Sequence, residues 1–489
     1  MGNEKDKNDK KFFTKQSEDF SKWYTDVILQ GDLAEYSAVK GCMVIKPYGY
    51  AIWENLRDDL NNRIKDVGVQ NCYFPMFIPK HFMDKEAEHV EGFAPEAAVV
   101  THGGGEKLEE PLIIRPTSET IIGDSFSRWV HSYRDLPLKI NQWANIVRWE
   151  KRTRLFLRTT EFLWQEGHSC HADFEDAERE TIKILKLYKE FDREILSVPV
   201  LTGQKSESEK FKGAYKTLAT EALAKDLKSI QAGTSHNLGQ NFAKAFDIKY
   251  LDVNNQQQYV YNVSWGVSTR LVGTLIVVHG DDKGLVLPPK VAPHQIVVVP
   301  IYKNDEQRSE ILNKLSNIVK SIKDKKIRVL LDDRDNLSPG YKFNEWELKG
   351  VPLRLEFGPK DMEKNQFVAV RRDTAEKKFY SVPEFIENAE KILDEIQIGI
   401  YDKAKTFMES NIHEAKTIDE LVEIMETKGG MVKCLWSGDP KVEEIIQEKT
   451  KATNRMLEMD DDGNVIETSG TCIGGEKPAK YTAYFAKAY

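Results

Sequence analysis

The sequence predicts an α+β protein in three parts: a large domain over 17–288 built on an antiparallel sheet with helices, an α/β domain over 289–402, and a small α+β domain over 403–489. Three observations predict it. Two apolar runs, KINQWANIVRWE and TTEFLWQEGH, flank the charged stretch KRTRLFLR, the pattern of an antiparallel hairpin with a basic connection. After His294, strand-like and helix-like segments alternate: QIVVVPIY, EQRSEILNKLSNIVKSIK, IRVLLDD, YKFNEWELKG, LRLEFG and FVAVRR, then a long helix from Pro383. Finally, a polar stretch from about Asn411 forms a separate unit, as expected for a chain of 489 residues that is too long for one hydrophobic core.

With 40% hydrophobic and 30% charged residues the chain reads as a soluble globular protein, and no apolar run reaches the length of a membrane helix. The start, MGNEKDKNDKK, lacks the apolar stretch of a secretory signal, so 1–16 is expected to be a disordered charged tail on a cytoplasmic protein. Five cysteines, none spaced CxxC, fit a reducing compartment. The net charge of -8 argues against indiscriminate nucleic-acid binding but leaves room for local basic patches.

Along the chain, Ile52, Leu56, Leu60 and Ile64 recur at helical spacing between Pro47 and Asp66, and Gly68 stops the pattern. VQNCYFPMFIPK reads as a strand whose Pro75 lies at an edge or bulge, and EGFAPEAAVVTHGGGEKLEE as a mobile loop. In PLIIRPTSETIIG, Pro116 prevents a helix from running through, so the chain steps from strand to helix there. Ser118 is either an ordinary helix cap or part of a segment whose Thr117 and Glu119 face a pocket. Strand alternation puts Arg148 and Glu150 on one face, and Phe162, Trp164, Glu166 and His168 on one face; aromatics mixed with Glu and His look like a pocket floor. ERETIKILKLYKEF is an amphipathic helix, GQKSESEKFKGAYK a lysine-bearing loop, and IQAGTSHNLGQNF and YNVSWGVSTR bring small residues and polar tips together.

Together these segments resemble a class II aminoacyl-tRNA synthetase, specifically the prolyl-tRNA synthetases of archaeal and eukaryotic type. The likeness runs from about Phe20 to Tyr489 and rests on Arg148-x-Glu150, Arg158-x-x-x-Phe162, Arg270 in SWGVSTR, and the narrower signatures RPTSE, WQEGH, AGTSHNLGQNF and GDDKGLVLPP. It implies activation of L-proline by ATP and transfer to tRNA(Pro) by a homodimer joined through the long helix and the strand ending at Pro75. By the same resemblance Arg148 and Arg270 are the catalytic residues. Arg148 bridges the proline carboxylate and the α-phosphate, Arg270 holds the γ-phosphate and Arg158 supports the triphosphate. Glu150 reads the adenine amino group, Phe162 stacks on the base, and Gln231 and Thr234 reach the ribose and adenine neighbourhood. Thr117 and Glu119 take the proline ammonium, Phe93, Trp164 and His236 wall the ring, and Glu166, His168, Ser264 and Gly266 complete the proline site. Phe343, Glu347, Arg354 and Lys360 match anticodon-binding positions, and Mg2+ is expected with ATP.

Arginine's planar fork suits a reaction that brings two anions together. The β-branched run LVGTLIVV reads as a strand by propensity, whereas the family has a buried helix there. Many relatives carry a four-cysteine zinc site in the last domain; only Cys434 and Cys472 stand here, with Ser437 and Gly474 near the other positions, so no zinc is expected. His168-x-Cys170-His171 resembles a metal spacing, but alternation sends His171 away from His168. The stretch between Phe162 and Arg270 has no room for a large editing insertion. The terminus, KPAKYTAYFAKAY, matches a family in which the last carboxylate folds back toward the active site. Two rival readings are a non-catalytic tRNA-binding relative, which would have lost Arg148, Glu150 or Arg270, and a synthetase for another amino acid such as threonine, whose zinc-ligand trio does not stand out here.

Overall fold

The structure, a computed structural model, describes residues 13–89, 97–475 and 477–489. The chain divides into two compact units: one takes the chain up to Glu35, Ile45–Ala51 and His279–Gln397, and the other takes Tyr36–Val44, Ile52–Val278 and Ile398–Tyr489. Of the expected tail, 1–12 lie outside the described residues. Thr14 and Gln16 are anchored, Thr14 Oγ1 donating to Asp26 at 2.7 Å and Gln16 Nε2 to the Gly280 carbonyl at 2.9 Å, so order begins before residue 17.

The second unit is organised by an eleven-stranded sheet. Its order is Ile412–Glu414, Met431–Trp436, Tyr481–Ala486, Thr453–Glu458, Leu201–Gln204, Lys216–Leu223, Ser229–Gly239, Tyr261–Ser268, Glu161–His171, Leu138–Val147 and Gln70–Asn71. The expected hairpin is its largest pair, Leu138–Val147 running antiparallel to Glu161–His171 with Ile146 opposite Phe162. The strands beyond 403 join this same sheet, Leu457 pairing with Gln204, and 403 itself falls inside the helix Val382–Ser410.

Helix Phe174–Glu194 covers the sheet, packing on Ser229–Gly239 through the apolar stripe that includes Ile184, Tyr188 and Phe191. It also brings in Asp192, buried and with no partner for Oδ2 among the described residues; burial pushes this carboxyl up to about 8. Helix Arg270–His279 is where LVGTLIVV lies, and Leu271, Val272, Leu275, Ile276, Val277 and Val278 are all buried, so packing overrides β propensity. In helix Pro47–Asp66, Ile52, Leu56, Leu60 and Ile64 are buried, and Gly68 at φ +86° ends the pattern.

Two local expectations fail. VQNCYFPMFIPK is not one strand: Gln70–Asn71 pairs with the edge of the large sheet, Phe77–Pro79 pairs with Glu106–Ile114 in a separate three-stranded sheet, and Pro75, which has no N–H to donate, lies in the break. The expected mobile loop contains a hairpin, Val99–Gly103 and Glu106–Ile114, turned by Gly104 and Gly105 at φ +62° and +90°; residues 91–96 of that stretch lie outside the described residues.

In the other unit, 295–397 forms a five-stranded sheet in the order Val329–Leu331, Ile296–Pro300, Leu353–Phe357, Gln366–Arg371 and Lys377–Ser381. The first three strands are parallel and the last two antiparallel, as short helix-connected and hairpin-connected links require. Helix Asp305–Asp324 is capped by Asn304, whose side chain accepts from the Gln307 amide.

Candidate active site

One face of the large sheet floors a cavity of about 330 Å³. Cross-strand register builds that face in rows. Gln142, Glu166, Gly266 and Thr234 lie side by side in one row, and His168, Ser264, His236 and Thr217 in the next. Because side chains alternate along a strand, residues two apart on each strand share this face. A bulge opposite Thr220/Glu221 then puts Gln231, rather than Ala232, across from Glu221 and turns it toward the cavity.

Every pocket residue expected from the sequence and described in the structure lines this cavity. Arg148, Glu150, Arg158, Phe162, Gln231, Thr234 and Arg270 are there, and so are Thr117, Glu119, Trp164, Glu166, His168, His236, Ser264 and Gly266. Phe93 lies outside the described residues. Phe211, Thr217, Glu209 and Phe156 also line the cavity and were not anticipated. Aromatic residues in a lysine-rich loop carry no periodic signal; the only hint was the position of that loop between two strands.

The step at RPTSE is now explained. Arg115 is buried and turned away from the cavity, donating to the Phe74 carbonyl at 2.7 Å and to Asn145 backbone and side-chain oxygens at 2.8 and 2.9 Å. Ser118 precedes helix Glu119–Trp129 without capping it by its side chain. Its hydroxyl donates instead to Glu166 Oε1 at 2.5 Å, and the Thr117 hydroxyl donates to Glu119. Gln142 Nε2 also donates to Glu166 Oε1, and His168 Nε2 meets Glu166 Oε2 at 3.0 Å. Glu166 is therefore held on both oxygens. Burial works against a charged His168, but the adjoining Glu166 outweighs it and raises the imidazole. His171 turns away from the cavity to Asp176, at 2.5 Å.

Three arginines line the cavity, and two of them have no carboxylate partner among the described residues. Arg148 donates through Nε to the Pro116 carbonyl at 3.0 Å and lies over the rings of Phe162 and Trp164 at 5.6 and 5.7 Å. Burial lowers its pKa, opposed by the charges of Glu119, Glu166 and Glu150. Arg270 donates to the Leu157 carbonyl at 3.2 Å; burial and then the neighbouring Arg148 lower it. Two cations that line one cavity, neither paired with a carboxylate among the described residues, form a ready anion site. Glu150 instead pairs with Arg158 at 2.8 Å.

The opposite wall is apolar with fixed polar tips. The Thr217 hydroxyl accepts the Phe211 amide and lies 2.9 Å from His236 Nδ1. Burial pushes His236 down to about 3, which keeps it neutral, and the Phe211 ring lies 4.8 Å from it. Ser264 Oγ and Trp164 Nε1 are buried and meet no partner among the described residues. Such orphaned donors in a cavity fit a ligand that completes them. Gly167 in WQEGH is required for packing, since a Cβ there would lie 2.0 Å from the Trp265 ring.

In the α/β domain, Arg354 stacks on Phe343 at 4.4 Å and pairs with Glu356 at 2.8 Å. Glu347, one turn along the helix from Phe343, is engaged by Lys283, and Lys360 stands on a separate helix, Pro359–Lys364. The structure thus brings together Phe343 and Arg354 but not all four residues expected there.

Comparison with known proteins matches residues 101–279 to the tRNA synthetase class II core domain (G, H, P, S and T), 295–392 to an anticodon binding domain, and 418–489 to the prolyl-tRNA synthetase C-terminal domain. A proline--tRNA ligase of Natranaerobius thermophilus is 53% identical over 99% of this chain and all of its own length. The chain belongs to the prolyl-tRNA synthetase family. Proline--tRNA ligases of Roseiflexus sp. and Flavobacterium johnsoniae are 52% and 48% identical, each over 98% of this chain and 100% of their own. For a prolyl-tRNA synthetase the anticodon-binding match covers the domain that holds Phe343 and Arg354, and the class II core match covers all the cavity's strands from Leu138 to Ser268. Among the described residues no helix is long and apolar enough to cross a membrane.

Proposed function

We propose that this chain is a proline--tRNA ligase that forms prolyl-adenylate from L-proline and ATP and passes the prolyl group to the 3'-hydroxyl of tRNA(Pro). The observation that carries this reading is one cavity with two arginines, neither paired with a carboxylate among the described residues, at one side and a carboxylate-tipped, aromatic-walled slot at the other. A proline carboxylate oxygen attacks the α-phosphorus of ATP; the new O–P bond forms as the bond to the bridging oxygen breaks, and pyrophosphate leaves with the electron pair. No general base is needed because the nucleophile is already ionised. Arg148 bridges the two anions and Arg270 takes the γ-phosphate, so the charge that gathers on the phosphate meets donors already in place. Glu150 reads the adenine amino group, Phe162 stacks on the ring, and Gln231 and Thr234 reach the ribose and adenine.

The secondary ammonium of proline is received by Glu119, oriented by Thr117, while Trp164, His236 and Phe93 wall the ring. A neutral His236 suits an apolar ring better than a charged one would. Glu166 and His168 hold the floor in shape, with Ser264 and the bare Gly266 beside them. In the second step the tRNA hydroxyl attacks the prolyl carbonyl carbon; the new ester bond forms as the bond to the phosphate oxygen breaks, and AMP departs with that electron pair while its phosphate takes the hydroxyl proton. Phe343 and Arg354 form a stacking surface for unpaired anticodon bases, with Glu347 and Lys360 flanking it.

Magnesium accompanies ATP in this reading. Glu119, Glu150, Glu166 and Glu209, the carboxylates of the cavity, are already engaged by Thr117, Arg158, the Ser118–Gln142–His168 group and Arg455. They do not form a protein cage, so the ion fits as one carried on phosphate oxygens and water, and no step is routed through it. A homodimer would cover Tyr73, Phe77 and Trp129, exposed aromatics at 70%, 43% and 47%, beside the segment that Arg115 fastens. We place the protein in the cytoplasm on its reduced cysteine pattern. Aminoacylation of a tRNA(Pro) transcript with labelled proline tests the proposal: ATP-dependent charging is expected, and no charging by folded protein would overturn it.

A further inference from the structure

A buried ionic cluster beside the cavity has no part in the chemistry above. Lys205, Glu221 and Ser229 are all within 3% of fully buried, and Arg455, from the strand Thr453–Glu458, is 8% exposed. Lys205 Nζ donates to Glu221 Oε1 at 2.5 Å and to the Arg455 carbonyl at 2.8 Å. Arg455 Nη2 donates to Glu221 Oε1 at 2.7 Å, and the Ser229 hydroxyl donates to Oε2. Burial would raise the Glu221 carboxyl, yet Lys205 and Arg455 pull it down to about 2. Two cations share one carboxylate, and Arg455 Nη1 spends its surplus charge on Glu209 Oε2, 3.7 Å away.

Glu209 belongs to the loop 205–215, which has no helix or strand of its own and carries Phe211 into the cavity. The loop is tied at three places to the C-terminal segment. Lys205 reaches the Arg455 carbonyl, Glu209 faces Arg455, and the Ser208 hydroxyl donates to Glu443 in helix Pro440–Thr450. The loop's internal backbone hydrogen bonds are local turn bonds, from the Glu209 and Lys210 amides to the Ser206 carbonyl and from the Ala214 amide to the Phe211 carbonyl, so ties to other segments set where the loop sits.

We propose that Arg455 and Glu443 are positioning residues through which the C-terminal segment holds the loop 205–215, so that Phe211 backs His236 and closes one wall of the proline slot. This rests on the reading of His236 as part of that slot. Neither residue touches substrate; each acts through the loop. The C-terminal segment then has a role in activation that is separate from any contact it makes with tRNA.

The test is Arg455→Met, which leaves Glu221 paired with Lys205 and Ser229. Expected are a rise of about five- to tenfold in KM for proline with KM for ATP within about twofold, because only the proline wall loses its backing. Hydrogen exchange at the Lys210 and Phe211 amides should speed up about tenfold, while that of Leu218–Leu223 stays unchanged. Arg455→Lys should keep the proline KM and the exchange rates close to those of the unaltered protein. If Arg455→Met does not fold, Ser208→Ala, at an exposed position, carries the same readouts. Unchanged exchange at Lys210 and Phe211, or an equal loss for ATP and proline, would overturn the inference. If His236→Ala leaves the proline KM untouched, the slot assignment fails instead, and the exchange data still decide whether the clamp exists.

Discussion

Glu119→Gln separates proline recognition from ATP recognition. Glu119 is buried at the first turn of its helix, held by the Thr117 hydroxyl, and it is the foremost carboxylate opposing the burial of Arg148. Glutamine keeps the shape and can still accept from Thr117, so packing is preserved. What is lost is a carboxylate that would accept charge-assisted hydrogen bonds from the proline ammonium. A hydrogen bond to a charged group contributes about 1.5–3 kcal/mol, which corresponds to about 10- to 100-fold in affinity. The assay is ATP–pyrophosphate exchange, with KM for proline and KM for ATP measured separately. The proline constant should rise by that factor and the ATP constant should move by less than about threefold, because the adenine and γ-phosphate contacts are made by other residues. Equal changes in both constants, or no change in either, would refute the reasoning and leave Glu119 as a structural residue.

Arg148→Ala should cut adenylate formation by at least about 10³-fold, since it removes a donor to both reacting anions, with an unchanged circular dichroism spectrum; near-normal exchange would end that assignment. Asp192 gives a pH prediction. Its folded pKa, about 8, lies above the unfolded value, so its stabilising contribution is complete below about pH 4 and is lost as pH rises toward 8. Asp192→Asn should therefore be more stable in urea by a margin that grows over that window to at most on the order of 5 kcal/mol, whereas a pH-independent margin would contradict the burial argument.

Much of the cavity was legible because its residues recur at period two on neighbouring strands and sit in short motifs of unusual composition. Phe162, Trp164, Glu166 and His168 are the clearest case, since a strand that alternates in this way leaves one face to carry the chemistry. Phe211 was not legible, because a loop residue gains its place only from the side chains that tie the loop down. The three-part division was less readable at 403, where strands distant in sequence complete one sheet through pairings such as Leu457 with Gln204; no local pattern encodes a partner so far along the chain. The same holds for Lys205, one lysine among several in the lysine-bearing loop, which is buried on Glu221. Pro75 was read correctly as a problem for a strand, but the chain resolves it by dividing the segment between two sheets instead of bulging.

The central claim is that this cavity activates proline, and the most direct test is ATP–pyrophosphate exchange with each of the twenty amino acids in turn, without tRNA. The account predicts exchange that depends on proline, with at most a weak signal from alanine. Strong exchange with a different amino acid, or none at all from folded protein, would contradict it.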